Sequence, residues 1–574
     1  MNMGNATGAE ILMDAFLQEK VEVVFGFPGG AILDVFDVMN RPGMPRFILT
    51  RHEQGAGHMA DGYARATGKV GVCVVTSGPG ATNLATAVAT AYMDSIPMVA
   101  VTGQVVTSAI GNDAFQEVDV VGYTRPISKH NYLVRSVEDL PRILKEAFYI
   151  AKTGRPGPVV VDLPKDVQRG VLENYRYPKS VSIRSYKPTT DGNPLAIRRA
   201  AEAIKRSRRP LLYVGGGALY EGCQKLLVEL AEKCQIPCVT TLLGLGAFPE
   251  DHPYAMEMLG MHGTQYANYA MHNCDCIIAV GARFDDRVTG KLSEFAPNRQ
   301  DVIHIDIDPS SISKSIPVTV PVVGDAGRIL KKLAEIVEPA VHEEWVNQCQ
   351  QWKKSHPLKY RNDGKLYPQF VIEELYRATG GDAIVVTEVG QHQMWTAQFW
   401  KFTKPRTFLS SGGLGTMGYG FPAAIGAKVA FPHKHVVVIA GDGSIQMNMQ
   451  EMTTAMNENL PVKVAILNNG CLGMVRQWQD MFYQKNYSGT CLLPPPDAKT
   501  GERQAYRPDF VKLAEAFGAV GLRARTMEEV RPTLEAMLAC DKPVFAEFIV
   551  ETEENVFPMI PAGGGVQQML GGLV

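Results

Sequence analysis

The sequence predicts an α/β protein built from three doubly wound parallel-sheet domains, and three observations carry that prediction. Short apolar runs rich in valine and isoleucine alternate with stretches of helical periodicity along most of the chain, the pattern of stacked βαβ units. The 574 residues exceed what one core holds and fit roughly three or four domains of ~150 residues. Two stretches, 169–193 and His342–Tyr367, lose the alternation and read as linkers, which divides the chain into 1–168, 193–340 and 368–574.

Composition narrows the class. Hydrophobic residues at 45% and charged residues at 20% are the balance of a globular protein. A net charge of −2 gives no electrostatic case for nucleic acid or an anionic membrane. No run of ~18 apolar residues occurs, so no transmembrane helix is expected. The opening segment, MNMGNATGAEILMDAFLQEK, lacks a basic region followed by an apolar one, so a cytoplasmic protein is expected. The ten cysteines are scattered: Cys274 and Cys276 alternate along an expected strand, and Cys234/Cys238 has no second pair. Neither a zinc site nor a disulfide framework is expected.

In the first domain, strands are expected at Val21–Phe25, Phe47–Leu49, Val70–Val75, Met98–Thr102 and Val159–Leu163. Turn signals at Gly26–Gly30, Gly78-Pro79-Gly80 and Gly154–Pro158 punctuate them. Arg51-His52-Glu53-Gln54 follows the second of these strands and opens a helix over Gln54–Ala66, where a carboxylate is favoured by the helix dipole. In the second domain the expected strands are Leu211–Val214, Cys238–Thr241, Cys276–Val280 and Val302–Ile305, the first running into the Gly-rich turn Gly215-Gly216-Gly217.

The third domain holds the stretch richest in chemistry, Val436–Met474. An apolar run, Val436–Ala440, turns at Gly441-Asp442-Gly443-Ser444. A helix is expected over Ile445–Asn459, and a second run, Val462–Leu467, ends at Asn468-Asn469. A βαβ crossover puts both strand carboxyl ends on one edge of a parallel sheet, where open α/β sheets bind ligands. Asp442, Asn469 and the Cys471 carbonyl are hard oxygen donors suited to Mg²⁺ shared with phosphates. The glycines beside Asp442 let backbone approach a diphosphate, and the helix start favours anions. A lone GDGS is an ordinary βα turn; GDGS followed by NN, each after its own strand, is far more specific.

That pair resembles the diphosphate-binding signature of thiamine diphosphate (ThDP) enzymes. The resemblance extends further: FGFPGG (Phe25–Gly30), RHEQG (Arg51–Gly55), TSGPGATN (Thr76–Asn83), AFQE (Ala114–Glu117) and DLPKD (Asp162–Asp166) are present. So are MLGMHG (Met258–Gly263), GARFDDR (Gly281–Arg287), VGQHQM (Val389–Met394) and GGLGTMG (Gly412–Gly418). The set is similar to the catalytic subunits of the acetohydroxyacid synthase (acetolactate synthase) family, with GARFDDR and the Met474…Trp478 spacing narrowing the choice.

The resemblance implies a ThDP pyrimidine-binding first domain, an FAD-binding second domain and a ThDP diphosphate- and Mg²⁺-binding third domain. It implies that Glu53 is the catalytic acid activating the aminopyrimidine. ThDP contacts would be Glu53, Gly390, Gln391, His392, Gly415 and Met417, then Gly441, Asp442, Gly443, Ser444, Asn469, Gly473 and Met474. Met417 would be the apolar wedge that bends the cofactor. FAD would be held by Arg155, Gly215, Gly216, Thr241, Leu242, Gly260 and Met261. His262, Gly281, Arg283, Asp285, Asp306 and Asp325 would complete that set. Bare turn chemistry, packing and helix caps remain open as the reasons for several of these. Mg²⁺ would sit on Asp442, Asn469 and Cys471, the last a position where relatives often carry glutamate.

Arg287 would hold a 2-keto acid's carboxylate through two hydrogen bonds, unless it only pairs with Asp285 or Asp286 on the surface. Trp478 would restrict the acceptor's alkyl group, and Phe115, Gln116 and Lys165 would stand at the pocket mouth. The reaction implied is decarboxylation of pyruvate and carboligation to pyruvate or 2-ketobutyrate, in valine, leucine and isoleucine biosynthesis. A homodimer or dimer of dimers is implied, with valine feedback requiring a separate small regulatory subunit. A pyruvate oxidase, a glyoxylate carboligase or an FAD-free catabolic acetolactate synthase would share Glu53 and GDGS…NN but not Arg287 and Trp478. A nicotinamide dehydrogenase is disfavoured because no GxGxxG follows the first strand. A scaffold paralogue would need neither Glu53 nor Asp442. Residues 488–506 are proline-rich and longer than the family pattern, and neither a helix nor a central strand is expected there.

Overall fold

A computed structural model describes residues 4–220, 222–492 and 508–571. Three six-stranded sheets, each wholly parallel, account for the main strands. The first runs Arg46–Leu49, Val23–Phe27, Gly71–Val75, Met98–Gln104, Pro158–Pro164, His130–Leu133 from edge to edge. The second runs Ala255–Met258, Cys238–Thr240, Pro210–Val214, Cys276–Val280, Asp301–Asp306, Val320–Val323. The third runs Phe408–Leu409, Ile384–Thr387, Val436–Gly441, Lys463–Asn468, Val544–Ile549, Val520–Ala524. The central strands are buried on both faces, which is why they read as near-continuous apolar runs rather than alternating ones.

The first and third sheets are joined by one shared core. The helix Glu53–Thr67 lies against Gly420–Ala430, with Met59, Ala60 and Tyr63 packed among Phe421, Ala423 and Ala424. The approach is backbone to backbone: a Cβ on Gly62 would overlap the Ala423 carbonyl, and one on Gly426 the Met59 carbonyl. His52 caps the helix by accepting from the Gln54 N–H, and Gly68 ends it in the left-handed region at φ 77°. A buried polar seam runs beside this contact. Arg65 pairs with Asp61 (2.5 Å) and Asp94 (2.8 Å), and Tyr419 donates to Asp61 (2.8 Å). Asp94 also accepts the backbone N–H groups of Gly412 (3.1 Å) and Gly413 (2.6 Å), tying the first domain to the GGLGTMG loop.

Several expectations need correction. The helix expected over Ile445–Asn459 is broken into Asp442–Ile445, a 3₁₀ turn at Met449–Glu451 and a helix at Met452–Asn457. The break falls at Asn448, whose side chain donates to the Gly418 carbonyl at 2.6 Å. The stretch 169–193 carries a short strand, Val171–Glu173, paired antiparallel with Asn5–Thr7. His342–Tyr367 holds a helix, Glu343–Ser355, which docks on the second domain through Trp345, whose indole donates to the Pro210 carbonyl at 2.9 Å. Cys274 caps the C-terminus of a helix and only Cys276 enters the strand. Of the proline-rich stretch 488–506, residues 493–506 lie outside the described residues.

Candidate active site

The strands Val436–Gly441 and Lys463–Asn468 are adjacent and parallel, with Gly441 opposite Leu467. Asp442 and Asn469 therefore leave the same edge of the sheet side by side, and both are buried. Asn469 is held at both ends of its amide: its oxygen accepts the Cys471 N–H (3.0 Å) and its nitrogen faces Gln391 Oε1 (3.4 Å). Gln391 is itself fixed, donating to Gln477 (2.9 Å) and the Glu554 carbonyl (3.0 Å). A Cβ on Gly473 would overlap Gln391 Oε1, so the start of the helix Gly473–Phe482 can lie this close only as glycine. A carboxylate, an amide oxygen and the Cys471 carbonyl on one edge form a hard donor set that fits Mg²⁺.

His392 supplies an independent test of fit for a diphosphate. Its ring is buried and lies against the GDGS turn, where a Cβ on Gly441 would stand 3.0 Å from its Cε1. Burial lowers its pKa to about 3, so it is neutral. Its Nε2 has no hydrogen-bond partner among the described residues. A buried ring nitrogen without a partner is costly unless a ligand completes it, and a diphosphate oxygen at this turn can do so. Met417 reaches the same turn: its Cε is 4.0 Å from where a Gly443 Cβ would lie. Ser444 closes the turn, donating to the Gly441 carbonyl at 3.2 Å.

A cavity of about 890 Å³ adjoins this edge. Gly390, Gly415, Met417 and Met474 line its third-domain side, and Arg287 and Trp478 also face it. From the first and second domains come Arg155, Gly215, Gly216, Thr241, Leu242, Met261, His262, Gly281, Arg283, Asp285, Asp306 and Asp325. The volume and its length across three domains fit a large cofactor. So does His262, which is buried and whose Nδ1 has no partner among the described residues. Burial lowers its pKa to about 4.

Several of these residues also have structural tasks. Asp325 caps the helix Ala326–Ile336, accepting the Arg328 N–H at 2.9 Å. Asp306 accepts the Asp308 N–H at 2.8 Å. Gly215 and Gly281 meet backbone to backbone, so part of the Gly-rich signal is the packing of one turn on another. Gly260 is not among the cavity's lining residues; its N–H donates to Asn268 at 2.9 Å. Arg287 is more than half exposed, and its nearest carboxylate is Asp286 at 3.9 Å, too long for a hydrogen bond. Arg283 pairs instead with Asp285 at 3.3 Å.

Glu53 belongs to a second cluster, at the carboxyl edge of the first sheet. It is the first residue of its helix, and Asn83 donates to its carboxylate at 2.9 Å. The turn Gly78–Gly80 connects it to Gln116: a Cβ on Gly80 would lie 3.4 Å from Glu53 Oε1, and one on Gly78 2.8 Å from the Gln116 carbonyl. Phe115 beside it is 87% exposed. Lys165 follows the strand Pro158–Pro164 and donates to the Gly30 carbonyl at 2.7 Å. None of these lines the large cavity.

The sequence reading missed the carboxylates that hold the site's loops. Glu388 is fully buried and accepts the N–H groups of Gly418 (2.7 Å) and Phe421 (3.0 Å), which fixes the loop carrying Met417. Burial outweighs those bonds and raises its pKa to about 7. Glu451 accepts the Arg51 N–H at 3.0 and 3.1 Å, and burial raises it to about 7 as well. A carboxylate inside an apolar context was the available signal for Glu388, which follows the valine run of its strand.

Comparison with known proteins gives concordant matches. The thiamine pyrophosphate enzyme N-terminal TPP binding domain matches residues 6–123, the central domain 197–333 and the C-terminal TPP binding domain 388–548. The acetolactate synthase isozyme 3 large subunit of Escherichia coli K12 is 49% identical over 575 residues, 98% of each chain. The acetolactate synthase large subunit of Haemophilus influenzae is 47% identical over 577 residues, 99% of this chain and 98% of its own. The acetolactate synthase of Mycobacterium bovis is 50% identical over 566 residues, 97% of this chain and 90% of its own.

Proposed function

This chain belongs to the acetolactate synthase large subunits of the thiamine pyrophosphate enzyme family, and from that premise we propose how its residues divide the work. It is the catalytic subunit of acetohydroxyacid synthase, acting in branched-chain amino acid biosynthesis on 2-keto acids, with ThDP, Mg²⁺ and FAD as cofactors. A separate small subunit accompanies it. When bound, ThDP supplies the centre at which pyruvate loses CO₂ and a new carbon–carbon bond to the second keto acid is made.

The chain's residues bind, orient and exclude water. Asp442, the Asn469 amide and the Cys471 carbonyl would hold Mg²⁺ beside a diphosphate, and neutral His392, whose Nε2 has no partner among the described residues, could donate to it. Met417 lines the cavity beside the GDGS turn and would present an apolar face to the bound cofactor. Glu53, kept in place by Asn83, holds the proton shared with the aminopyrimidine. Arg287 takes the carboxylate of a keto acid, since its guanidinium is exposed and has no hydrogen-bonded carboxylate among the described residues. Trp478 limits the space left to the acceptor's alkyl group. FAD would be held by the first- and second-domain residues that line the cavity; the net reaction, two keto acids to one acetohydroxyacid and CO₂, transfers no electrons to it.

The minimal active unit is a homodimer, in which Glu53 of one subunit completes the diphosphate edge of the other. The observation carrying this reading is the separation within one chain. Glu53, Gln116 and exposed Phe115 cluster on the first domain, away from the cavity that Met417, Met474 and Trp478 line.

The test is acetolactate formation by the purified chain supplied with pyruvate, ThDP, Mg²⁺ and FAD, beside Glu53→Gln. Acetolactate from the wild type and a loss of ~10²-fold or more in the variant are expected, the scale of a general acid–base role. CO₂ release without acetolactate would remove the carboligation assignment, and an undiminished Glu53→Gln would remove Glu53 from its role. Adding 2-ketobutyrate reads the acceptor preference. Mixing the impaired Glu53→Gln with Asp442→Asn, at a Mg²⁺ concentration too low to activate the latter alone, tests the shared site: activity above that of either variant is expected in the mixed dimer.

A further inference from the structure

We propose that Cys471 and Cys491 form a redox modification site, a dithiol that closes to a disulfide by exchange with a low-molecular-weight disulfide such as oxidised glutathione. The geometry is that of a short antiparallel ribbon. Cys471 stands directly opposite Cys491. The Leu472 N–H donates to the Thr490 carbonyl (2.8 Å) and the Leu492 N–H to the Gly470 carbonyl (2.9 Å). These two bonds bracket the cysteines and make them the non-hydrogen-bonded pair of the ribbon, in which Cα atoms lie about 4.5 Å apart and side chains share one face. That separation falls within the roughly 4.4–6.8 Å a disulfide spans.

Access separates this pair from the other cysteines. Cys491 is exposed and Cys471 half-buried, whereas all the rest except Cys540 are buried. Cys491 is therefore the entry point. Its thiolate attacks the incoming disulfide and releases one small thiol. The Cys471 sulfur then displaces the second, forming the Cys471–Cys491 bond. Two S–H bonds become one S–S bond, and the two electrons and two protons leave on the small disulfide, now two thiols.

The bond would staple the segment that runs between its ends, the helix Gly473–Phe482 with Met474 and Trp478. That helix already leans on the far strand: Gln479 donates to the Ser488 carbonyl (2.9 Å) and accepts from Thr490 (2.8 Å). Oxidation makes this closure covalent and reduction releases it. The helix's importance to catalysis rests on the function proposed above; formation of the bond does not.

The experiment exposes the reduced holoenzyme to a series of ratios of oxidised to reduced glutathione, followed by alkylation and tryptic digestion without reductant. The peptides Val464–Arg476 and Asn486–Lys499 are expected as one disulfide-linked species that grows with the ratio. Cys491→Ser abolishes the linked species, and Cys471→Ser accumulates a glutathione adduct on Cys491 because no second thiol resolves it. Hydrogen–deuterium exchange across 473–485 slows at least several-fold in the oxidised enzyme. A wild-type protein that keeps a stable glutathione adduct on Cys491, or alkylates fully at both cysteines at every ratio, overturns the site. Unchanged exchange in the linked protein overturns the staple. Both readouts are independent of turnover, so they fail or succeed separately from the enzymatic assignment.

Discussion

Glu451, in the third domain, accepts the backbone N–H of Arg51 in the first, two residues before Glu53. Thr454 donates to the same carboxylate at 2.6 Å, so it is held from the helix that follows it while it holds the other domain's loop. Glu451→Ala leaves that N–H without its acceptor, a loss worth about 1–3 kcal/mol. The expected result is a lower urea midpoint together with a fall in kcat, because the start of the Glu53 helix shifts. Glu451→Gln keeps an oxygen acceptor and should retain most of both. An alanine variant equal to wild type in both measurements would show that the loop needs no anchor.

Asp442→Asn tests the metal edge. An amide is a neutral and weaker ligand for a hard cation than a carboxylate. The Mg²⁺ concentration for half-maximal activation should rise tenfold or more, with stability little changed at saturating ThDP and Mg²⁺. An unaltered Mg²⁺ requirement would take Asp442 out of the coordination set.

Arg287→Lys separates geometry from charge. Lysine keeps the cation but not the planar fork that matches a carboxylate through two parallel bonds. KM for the keto acid should rise by about tenfold, with circular dichroism unchanged since the side chain is largely solvent-facing. A KM within twofold of wild type would return Arg287 to the role of a surface charge.

What was legible in the sequence were features coded locally. Parallel strands buried on both faces announce themselves as apolar runs, and Asp442 and Asn469 each follow one directly. The single helix expected after Ser444 failed because Asn448 gives its side chain to Gly418, a contact no periodicity encodes. Glu451 was invisible for the same reason: its partner is 400 positions away. The cavity's composition was legible only through resemblance, since nothing in a run of glycines distinguishes a cofactor turn from the Gly215–Gly281 packing contact.

Glu388 carries a pH signature. Its carboxyl, buried under the Met417 loop, is raised from 4.5 to about 7, burial outweighing the N–H groups of Phe421 and Gly418. The folded protein thus holds this proton more tightly than the unfolded chain. The stability it contributes is complete below about pH 4.5, declines as pH rises toward 7 and stays low above it; the interval corresponds to about 3 kcal/mol. Glu451 and Asp162, also raised to about 7 by burial, act with the same sign. Glu388→Gln removes one of these titrations. Its urea midpoint should therefore fall less than that of wild type between pH 5 and pH 8, even though the variant starts lower for the imperfect match of an amide to two N–H donors. Parallel declines in the two proteins would mean that Glu388 is already ionised at pH 5.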